Sequence, residues 1–274
     1  MIGWMFVIFV ICLALAVPVG FSIGISATFF LVFGSNIPIS IVVQKMVDGI
    51  NSFSYLALPL FVLSGAIMVY GSTPRLMRLA SRLPGGLGAA GSLGCGFFGA
   101  ISGSGVATTA SIGAIVAPEM VRQGYDKGFT ASLIAASGTL GLVIPPSVCM
   151  VVYAQNAGVS IGSMFLAGFI PGFIAVFLLG GLSVVVAIRR NYKGERVAVS
   201  TVKDVIMVVL DALLPLLMPV IILGGVLSGM FTPTESATIA TVYAFLLAKF
   251  VYKEISWKQL YRTLVDSARA SASI

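Results

Sequence analysis

Glycine and serine interrupt the apolar sequence at Ile101-Ser-Gly-Ser-Gly-Val106, and two prolines interrupt it again at Gly141-Leu-Val-Ile-Pro-Pro-Ser147. A helix that crosses a bilayer keeps its backbone hydrogen bonds within itself, because hydrocarbon offers no other partners. A break at membrane depth is tolerated only where protein or a water-filled cavity covers it. The carbonyls and helix ends that such a break frees can bind ions and anionic groups. Two breaks in neighbouring segments therefore point to a transporter.

The composition is that of an integral membrane protein. Of the 274 residues, 58% are hydrophobic and only 9% are charged, whereas soluble domains carry roughly a quarter charged residues. The net charge of +7 lies in short clusters between apolar runs, so no nucleic-acid partner is expected. Histidine is absent, which removes the commonest general base and metal ligand. The three cysteines lie in apolar segments and are expected to be free thiols. No cofactor is expected.

Apolar segments follow one another along the whole chain. Most of them reach the ~20 residues that a helix needs to cross the hydrocarbon core. The first, 2–33, lacks the basic start of a signal peptide and is expected to be a retained span. The sequence therefore predicts an all-α, polytopic membrane fold. The segments are 2–33, 51–71, 86–102, 105–121, 128–156, 161–188, 205–230 and 233–252.

The pair 86–102 and 105–121 is shorter than its neighbours and rich in glycine, alanine and serine. It is either two short spans or one re-entrant hairpin that enters and leaves at the same face. A bare Gly-Ser tip suits burial in protein at mid-membrane depth. The hairpin over 86–121 is therefore favoured, followed by a broken helix over 128–156.

The basic residues predict the orientation of the chain. With the N-terminus in the cytoplasm, every basic cluster falls on the cytoplasmic side, as the positive-inside rule requires. The opposite loops carry only Lys45, beside Asp48. The clusters are Arg75, Arg78 and Arg82; Arg122 and Lys127; Arg189, Arg190, Lys193, Arg196 and Lys203; and Lys249, Lys253, Lys258 and Arg262.

Two amphipathic segments suggest an internal repeat. Segment 72–84 places three leucines on one face and three arginines on another, which is typical of an interfacial arm helix. Segment 256–270 has a similar pattern, so residues 205–274 are predicted to start a second copy of the plan. Such symmetry is typical of transporters with inverted repeats. The second copy stops after its amphipathic helix and is expected to be truncated.

Backbone and hydroxyl oxygens are the candidate ligands at the two breaks. The tip Ser102–Gly105 offers carbonyls from one helix end and N–H groups from the next. Pro145 and Pro146 deprive the carbonyls before them of helical partners. The alternatives are a tight helix contact at the tip and a simple proline kink at the second break. No charged residue lies at the centre of a span, so a cation held by oxygens is favoured over a proton relay.

The acidic residues have structural interpretations. Glu119 and Asp126 are expected to pair with Arg122 and Lys127 at the open end of the hairpin. Glu235 lies three residues after Thr232 and is expected to complete a capping box.

Five stretches, in order along nearly the whole chain, resemble the large membrane subunit of tripartite ATP-independent periplasmic (TRAP) transporters. They are Phe98-Gly-Ala-Ile-Ser-Gly-Ser-Gly-Val-Ala107, Glu119-Met-Val-Arg-Gln-Gly-Tyr-Asp126, Gly141-Leu-Val-Ile-Pro-Pro-Ser147, Phe165-Leu-Ala-Gly-Phe-Ile-Pro-Gly172 and the stretch from Pro219 to Ser236.

The resemblance implies a sodium-driven secondary importer of organic acids such as C4-dicarboxylates or sialic acid, in the bacterial inner membrane. It also implies two partners, a small four-helix membrane subunit and a periplasmic substrate-binding protein. An elevator domain is expected to move against a scaffold, with 1–71 in the scaffold, 86–156 in the elevator and 161–190 as a further span. By the same resemblance Ser102, Gly105, Gly141 and Pro146 bind sodium, and Ser104, Thr139 and Ser147 lie near substrate or sodium.

Three other functions fit the sequence less well. A single-chain or other two-component anion:sodium symporter of the same architecture differs mainly in its partners. An intramembrane serine protease using Ser102 or Ser104 needs a buried base, and the chain has neither histidine nor a mid-span lysine. A channel would line a pore with such residues, but a hairpin tip that meets a broken span fits alternating access better.

Overall fold

The computed structural model describes residues 2–34, 38–80, 86–192 and 202–274, and every regular element within these ranges is a helix. The chain forms two units, Met1–Ser52 and Phe53–Ile274, which are described separately.

The first unit contains three helices, α1 (Ile2–Ala14), α2 (Val19–Gly34) and α3 (Ile39–Ile50). The structure thus replaces the predicted single span over 2–33 by two helices that pack against each other. The chain turns at Ala16, which has a φ of 60°, and at Pro18, which has no N–H to continue a helix. At 13 residues, α1 is only about 20 Å long.

The second unit contains the helices long enough to cross a membrane. A 3₁₀ turn (Phe53–Leu56) leads into α4 (Ala57–Ala80). Four apolar spans are found in the described residues: Phe53–Thr73, Ile161–Arg189, Val209–Leu227 and Pro233–Val251. They belong to α4, α10 (Ile161–Arg189), α11 (Val202–Leu227) and α12 (Pro233–Leu246), the last of which a π-helical turn (Leu247–Val251) extends.

Residues 86–122 form an antiparallel helical hairpin. Helix α5 (Gly86–Ser102) and α6 (Gly105–Arg122) are joined by two residues. Gly88 lies beside Met120, Gly91 beside Val116 and Gly94 beside Ile112. The residue numbers increase along α5 as those of their neighbours in α6 decrease, so the two helices run antiparallel. The two open ends therefore lie together, as expected for a hairpin.

The next segment is a broken helix. It consists of α7 (Lys127–Gly138), the single turn α8 (Leu140–Val143) and α9 (Val148–Ala157), and the two parts are bent by 45°. The break coincides with Pro145 and Pro146, as the sequence predicts.

The tip of the hairpin ends at this break. The N–H of Val148 donates to the carbonyl of Gly103 at 3.2 Å. Helix α9 continues for 10 residues past the break, about 15 Å. The tip therefore stops well short of the far end of the broken segment, and the re-entrant hairpin remains a prediction.

The arm after the first long span is separated from it by a kink. Tyr70 and Gly71 have non-helical dihedrals, with φ of 87° at Gly71, so the helix over 72–80 takes its own direction. The arm helix over 72–84 remains a prediction, and its residues 81–84, including Arg82, lie outside the described residues.

Arg75 ties this arm to the end of the last span. Its guanidinium lies 3.7 Å from the centre of the Tyr252 ring and 2.7 Å from a carboxylate oxygen of Glu254. The Tyr252 hydroxyl donates to the carbonyl of Asp211 at 3.2 Å. Burial raises the pKa of Tyr252 to about 12.

The last part of the chain has the predicted order of two spans and an amphipathic helix. Helix α12 begins with a complete capping box between Thr232 and Glu235, as expected. A second capping box, between Ser256 and Gln259, begins α13 (Trp257–Ser273), which packs on α4.

We expect Gly71→Ala to destabilise the protein more than Gly124→Ala. Both glycines have positive φ, +87° and +86°, so either alanine costs about 1–2 kcal/mol. Only at Gly71 would the new Cβ lie 2.7 Å from the Tyr252 ring, and such overpacking costs about 1–3 kcal/mol more. In thermal unfolding of the purified protein, each extra kcal/mol should lower the midpoint by about 2–4 °C. Equal midpoints for the two variants would contradict the packing at the kink.

Candidate functional site

The tip of the hairpin is a reversal that glycine makes possible. Helix α5 ends at Ser102, and Gly103 has a φ of +61°, a left-handed conformation that costs glycine nothing. Ser104 is extended and caps α6 by accepting from the N–H of Ala107 at 3.4 Å. A helix C-terminus and a helix N-terminus thus lie two residues apart.

Hydroxyl groups connect the two sides of the tip. Ser102 Oγ and Thr108 Oγ1 are 2.9 Å apart, and Thr108 Oγ1 donates to the carbonyl of Ser104 at 2.8 Å. Ser102 is 3% exposed and Thr108 is fully buried. The tip therefore holds several oxygens within a small buried volume.

At the broken helix, the prolines decide which carbonyls lose their partners. A helix would pair the carbonyls of Gly141 and Leu142 with the N–H groups four residues on, but those residues are Pro145 and Pro146. Ser147 Oγ donates to the carbonyl of Leu142 at 2.8 Å. Of these two carbonyls, that of Gly141 receives neither a helical N–H nor the Ser147 hydroxyl.

The two breaks meet through backbone that only glycine permits. A Cβ on Gly103 would lie 2.8 Å from the carbonyl oxygen of Pro146, and a Cβ on Gly141 would lie 2.7 Å from that of Ser104. A Cβ on Gly99 would lie 2.8 Å from Gly141 Cα. Since real Cβ atoms do not approach backbone this closely, these glycines are required by the contact.

The structure brings together the four predicted sodium ligands. Ser102, Gly105, Gly141 and Pro146 are all buried. Gly105 packs against the α7–α8 segment, where a Cβ would lie 3.2 Å from the Gly138 carbonyl oxygen. The assignment of sodium to these residues remains a prediction.

The three residues predicted near substrate or sodium have internal hydrogen bonds. Ser104 is half-buried and caps α6, while Ser147 is buried and bonds to Leu142. Thr139 is exposed and donates to the carbonyl of Ala136 on its own helix at 2.7 Å. Their predicted contact with substrate is also untested.

The junction is electrically neutral. No Asp, Glu, Lys or Arg occurs in 86–118 or 128–188, and the described residues contain no cluster of three metal-ligating side chains. Oxygen ligands without ionisable groups suit a hard monovalent cation better than a transition metal or a proton.

Charges lie at the open end of the hairpin instead. Glu119 accepts two hydrogen bonds from Arg122, at 2.7 and 2.9 Å, as predicted. These bonds, with a further one from Gln123, hold the pKa of Glu119 below its usual value. The expected pair of Asp126 with Lys127 is wrong, because Asp126 caps α7 and accepts from the N–H of Phe129 at 2.9 Å.

Three contacts of the junction were not predicted. Thr108 joins Ser102 to Ser104. A Cβ on Gly65 of α4 would lie 2.7 Å from Ser102 Cα, so α4 packs closely against the hairpin tip. In the sequence these residues are marked only by their small side chains. Small residues occur at every close contact between membrane helices, so they do not identify this one.

Two helix breaks that bury each other among apolar spans define a polytopic membrane transporter. The family follows from comparison of the sequence with known families: residues 6–274 match the model described as "Tripartite ATP-independent periplasmic transporter, DctM component". The chain belongs to this family, whose members are permeases and not enzymes.

Curated relatives agree with this family. The chain is 38% identical to the isethionate TRAP transporter permease protein DctMQ of Oleidesulfovibrio alaskensis, over 97% of this chain and 42% of the relative. It is 34% identical to the C4-dicarboxylate TRAP transporter large permease protein DctM of Rhodobacter capsulatus, over 94% and 62%. It is 32% identical to the 2,3-diketo-L-gulonate TRAP transporter large permease protein YiaN of Escherichia coli, over 96% and 62%. The chain thus spans about half the length of these relatives.

We expect Gly141→Ala to destabilise the junction, and Gly180→Ala to leave it unchanged. The new Cβ at Gly141 would lie 2.6 Å from Thr108 Oγ1 and 2.7 Å from the Ser104 carbonyl oxygen, whereas nothing lies within 4 Å at Gly180. Overpacking of this kind costs about 1–3 kcal/mol. The check is the thermal unfolding midpoint of each purified variant. A Gly141→Ala midpoint equal to that of the parent would show that the two breaks do not pack as described.

Proposed function

We propose that the chain forms part of the permease subunit of a sodium-driven secondary importer of organic acids. The observation that carries the proposal is the junction itself, where two helix breaks place hydroxyl and carbonyl oxygens together in a buried, uncharged contact. Such junctions suit alternating access, because a bound ion joins two separate pieces of backbone.

The neutral surroundings favour sodium as the coupling ion. A proton relay through the membrane is usually built from acidic or basic side chains, and the sequence contains no Asp, Glu, His, Lys or Arg between 86 and 118 or between 128 and 157. Oxygens from Ser102, Gly105, Gly141 and Pro146 supply the kind of ligands that a hard cation prefers.

The substrate is proposed to be an organic anion. The three relatives are named for C4-dicarboxylate, isethionate and 2,3-diketo-L-gulonate, which share an acidic group. Helices α6 and α9 begin at the junction, and helix N-termini attract anions. Ser104 and Ser147 lie at these two N-termini, and Thr139 ends α7.

The proposal includes two partners and an elevator-type movement. A periplasmic binding protein delivers the acid, and a small four-helix membrane subunit accompanies the permease in the inner membrane. An anion:sodium symporter of the same architecture without these partners is the alternative. Copurification of the small subunit with the permease would favour the first over the second.

We expect Gly105→Val to abolish sodium-dependent uptake by the complete transporter. A Cβ at Gly105 would already lie 3.1 Å from the Leu142 side chain and 3.2 Å from the Gly138 carbonyl oxygen, and a β-branched side chain adds two methyl groups there. Gly180→Val is the matched control, because its position is open. Uptake of labelled substrate into vesicles under a sodium gradient measures the effect. Uptake by Gly105→Val at the rate of the control would refute the assignment of the site.

The proposed orientation places the basic loop at Lys127 in the cytoplasm and Lys45 on the opposite side of the membrane. Single cysteines at Lys127 and Lys45, in a chain without Cys12, Cys95 and Cys149, should therefore differ in reactivity, since both positions are exposed. In intact cells with a permeable outer membrane, an impermeant maleimide should label the Lys45→Cys variant and not the Lys127→Cys variant. The opposite pattern would reverse the orientation.

A further inference from the structure

Helix α13 has an inner face that packs on α4 and an outer face that is aromatic. Thr263 and Ser267 are buried on the inner face. Trp257, Tyr261 and Leu264 are 66%, 69% and 44% exposed. Their spacing of four and three residues places them in one stripe along the helix. Such a stripe on a short helix beside membrane spans requires an apolar surface to cover it.

The stripe begins at the end of a membrane span. The Trp257 ring lies 6.3 Å from the Phe245 ring and 4.4 Å from the Lys249 ammonium, and both of these residues belong to the last turns of the span Pro233–Val251. Aromatic rings beside a lysine at a span end are typical of the level where hydrocarbon meets head groups. Helix α13 therefore starts at that level.

A row of basic residues runs beside the aromatic stripe. Lys258, Arg262 and Arg269 are exposed, and at 100° per residue they lie within about 40° of one another and roughly a third of a turn from the stripe. Asp266 is the one acid in α13. This is the pattern of an interfacial helix, with aromatic residues toward the acyl chains and basic residues toward the head groups.

We propose that α13 lies in the bilayer interface and that Lys258, Arg262 and Arg269 bind the head groups of anionic phospholipids. The positive edge is complementary to phosphate, and the stripe is continuous with the aromatic end of the span. Near an anionic surface, each basic residue increases lipid association by about fivefold. Cover of the stripe by protein is the alternative, and the experiment below distinguishes the two.

Trp257 is an internal probe for this lipid. The sequence contains two tryptophans, Trp4 and Trp257. In the Trp4→Phe variant of this chain, the tryptophan fluorescence therefore comes from Trp257 in α13. Two sets of phosphatidylcholine vesicles are prepared. One set contains brominated phosphatidylglycerol, and the other contains the same mole fraction of brominated phosphatidylcholine. The quenching of Trp257 by each gives their relative association. We expect phosphatidylglycerol to associate at least about fivefold more strongly than phosphatidylcholine, and added salt to reduce the difference.

Charge variants test whether the basic row is responsible. Lys258→Gln, Arg262→Gln and Arg269→Gln together should bring the relative association close to one, while Lys45→Gln, which removes an exposed lysine outside α13, should leave it unchanged. An unchanged thermal midpoint establishes that the triple variant is folded. Equal quenching by the two lipids in the parent, or a preference that survives the triple change, would overturn the proposal. Absence of quenching by either lipid would also overturn it, because protein or water would then cover the stripe.

Discussion

The architecture depends on one constraint, which is that hydrocarbon cannot satisfy an interrupted backbone. The chain has interruptions at Gly103 and at Pro145–Pro146, and each covers the other. The N–H of Val148 bonds to the carbonyl of Gly103, so one break supplies a donor that the other needs. Neither the hairpin nor the broken helix would be stable in the bilayer alone. Their mutual burial therefore explains why the two lie against each other in the fold.

Close backbone contact also determines where glycine is needed. Gly65, Gly99, Gly103 and Gly141 each lie where a Cβ would come within 2.8 Å of main-chain atoms. Glycine weakens an isolated helix by about 1 kcal/mol relative to alanine. In a membrane, the loss is offset by van der Waals packing between closely approaching backbones. The glycines that allow the close contact thus also bring the carbonyl and hydroxyl oxygens of the two breaks together.

The sequence predicts this junction well because its signals are local. Two prolines deprive particular carbonyls of partners wherever they occur, and a Gly-Ser pair at a reversal needs no knowledge of the rest of the fold. The division of the stretch 2–33 was missed, because its apolar character continues through the turn at Ala16. The roles of Thr108 and Gly65 depend on which helix faces which. Asp126 illustrates a competition: a carboxylate beside Lys127 has an equally near N–H at the start of α7, and the cap is formed.

The distribution of charge has a consequence for the proposed transport. All Asp, Glu, Lys and Arg side chains lie outside 86–118 and 128–188, so the proposed cation would bind at the junction without an acidic or basic side chain changing its protonation there. The proposed ligands come from two helical segments that the chain connects through residues 123–126. Under the proposed function, a bound ion strengthens the contact between the tip and the break. By linkage, any movement that separates the tip from the break lowers the affinity of the site for the ion. In the proposed elevator, 86–156 moves as one piece, so the ion and the contact that keeps the backbone out of lipid would travel together.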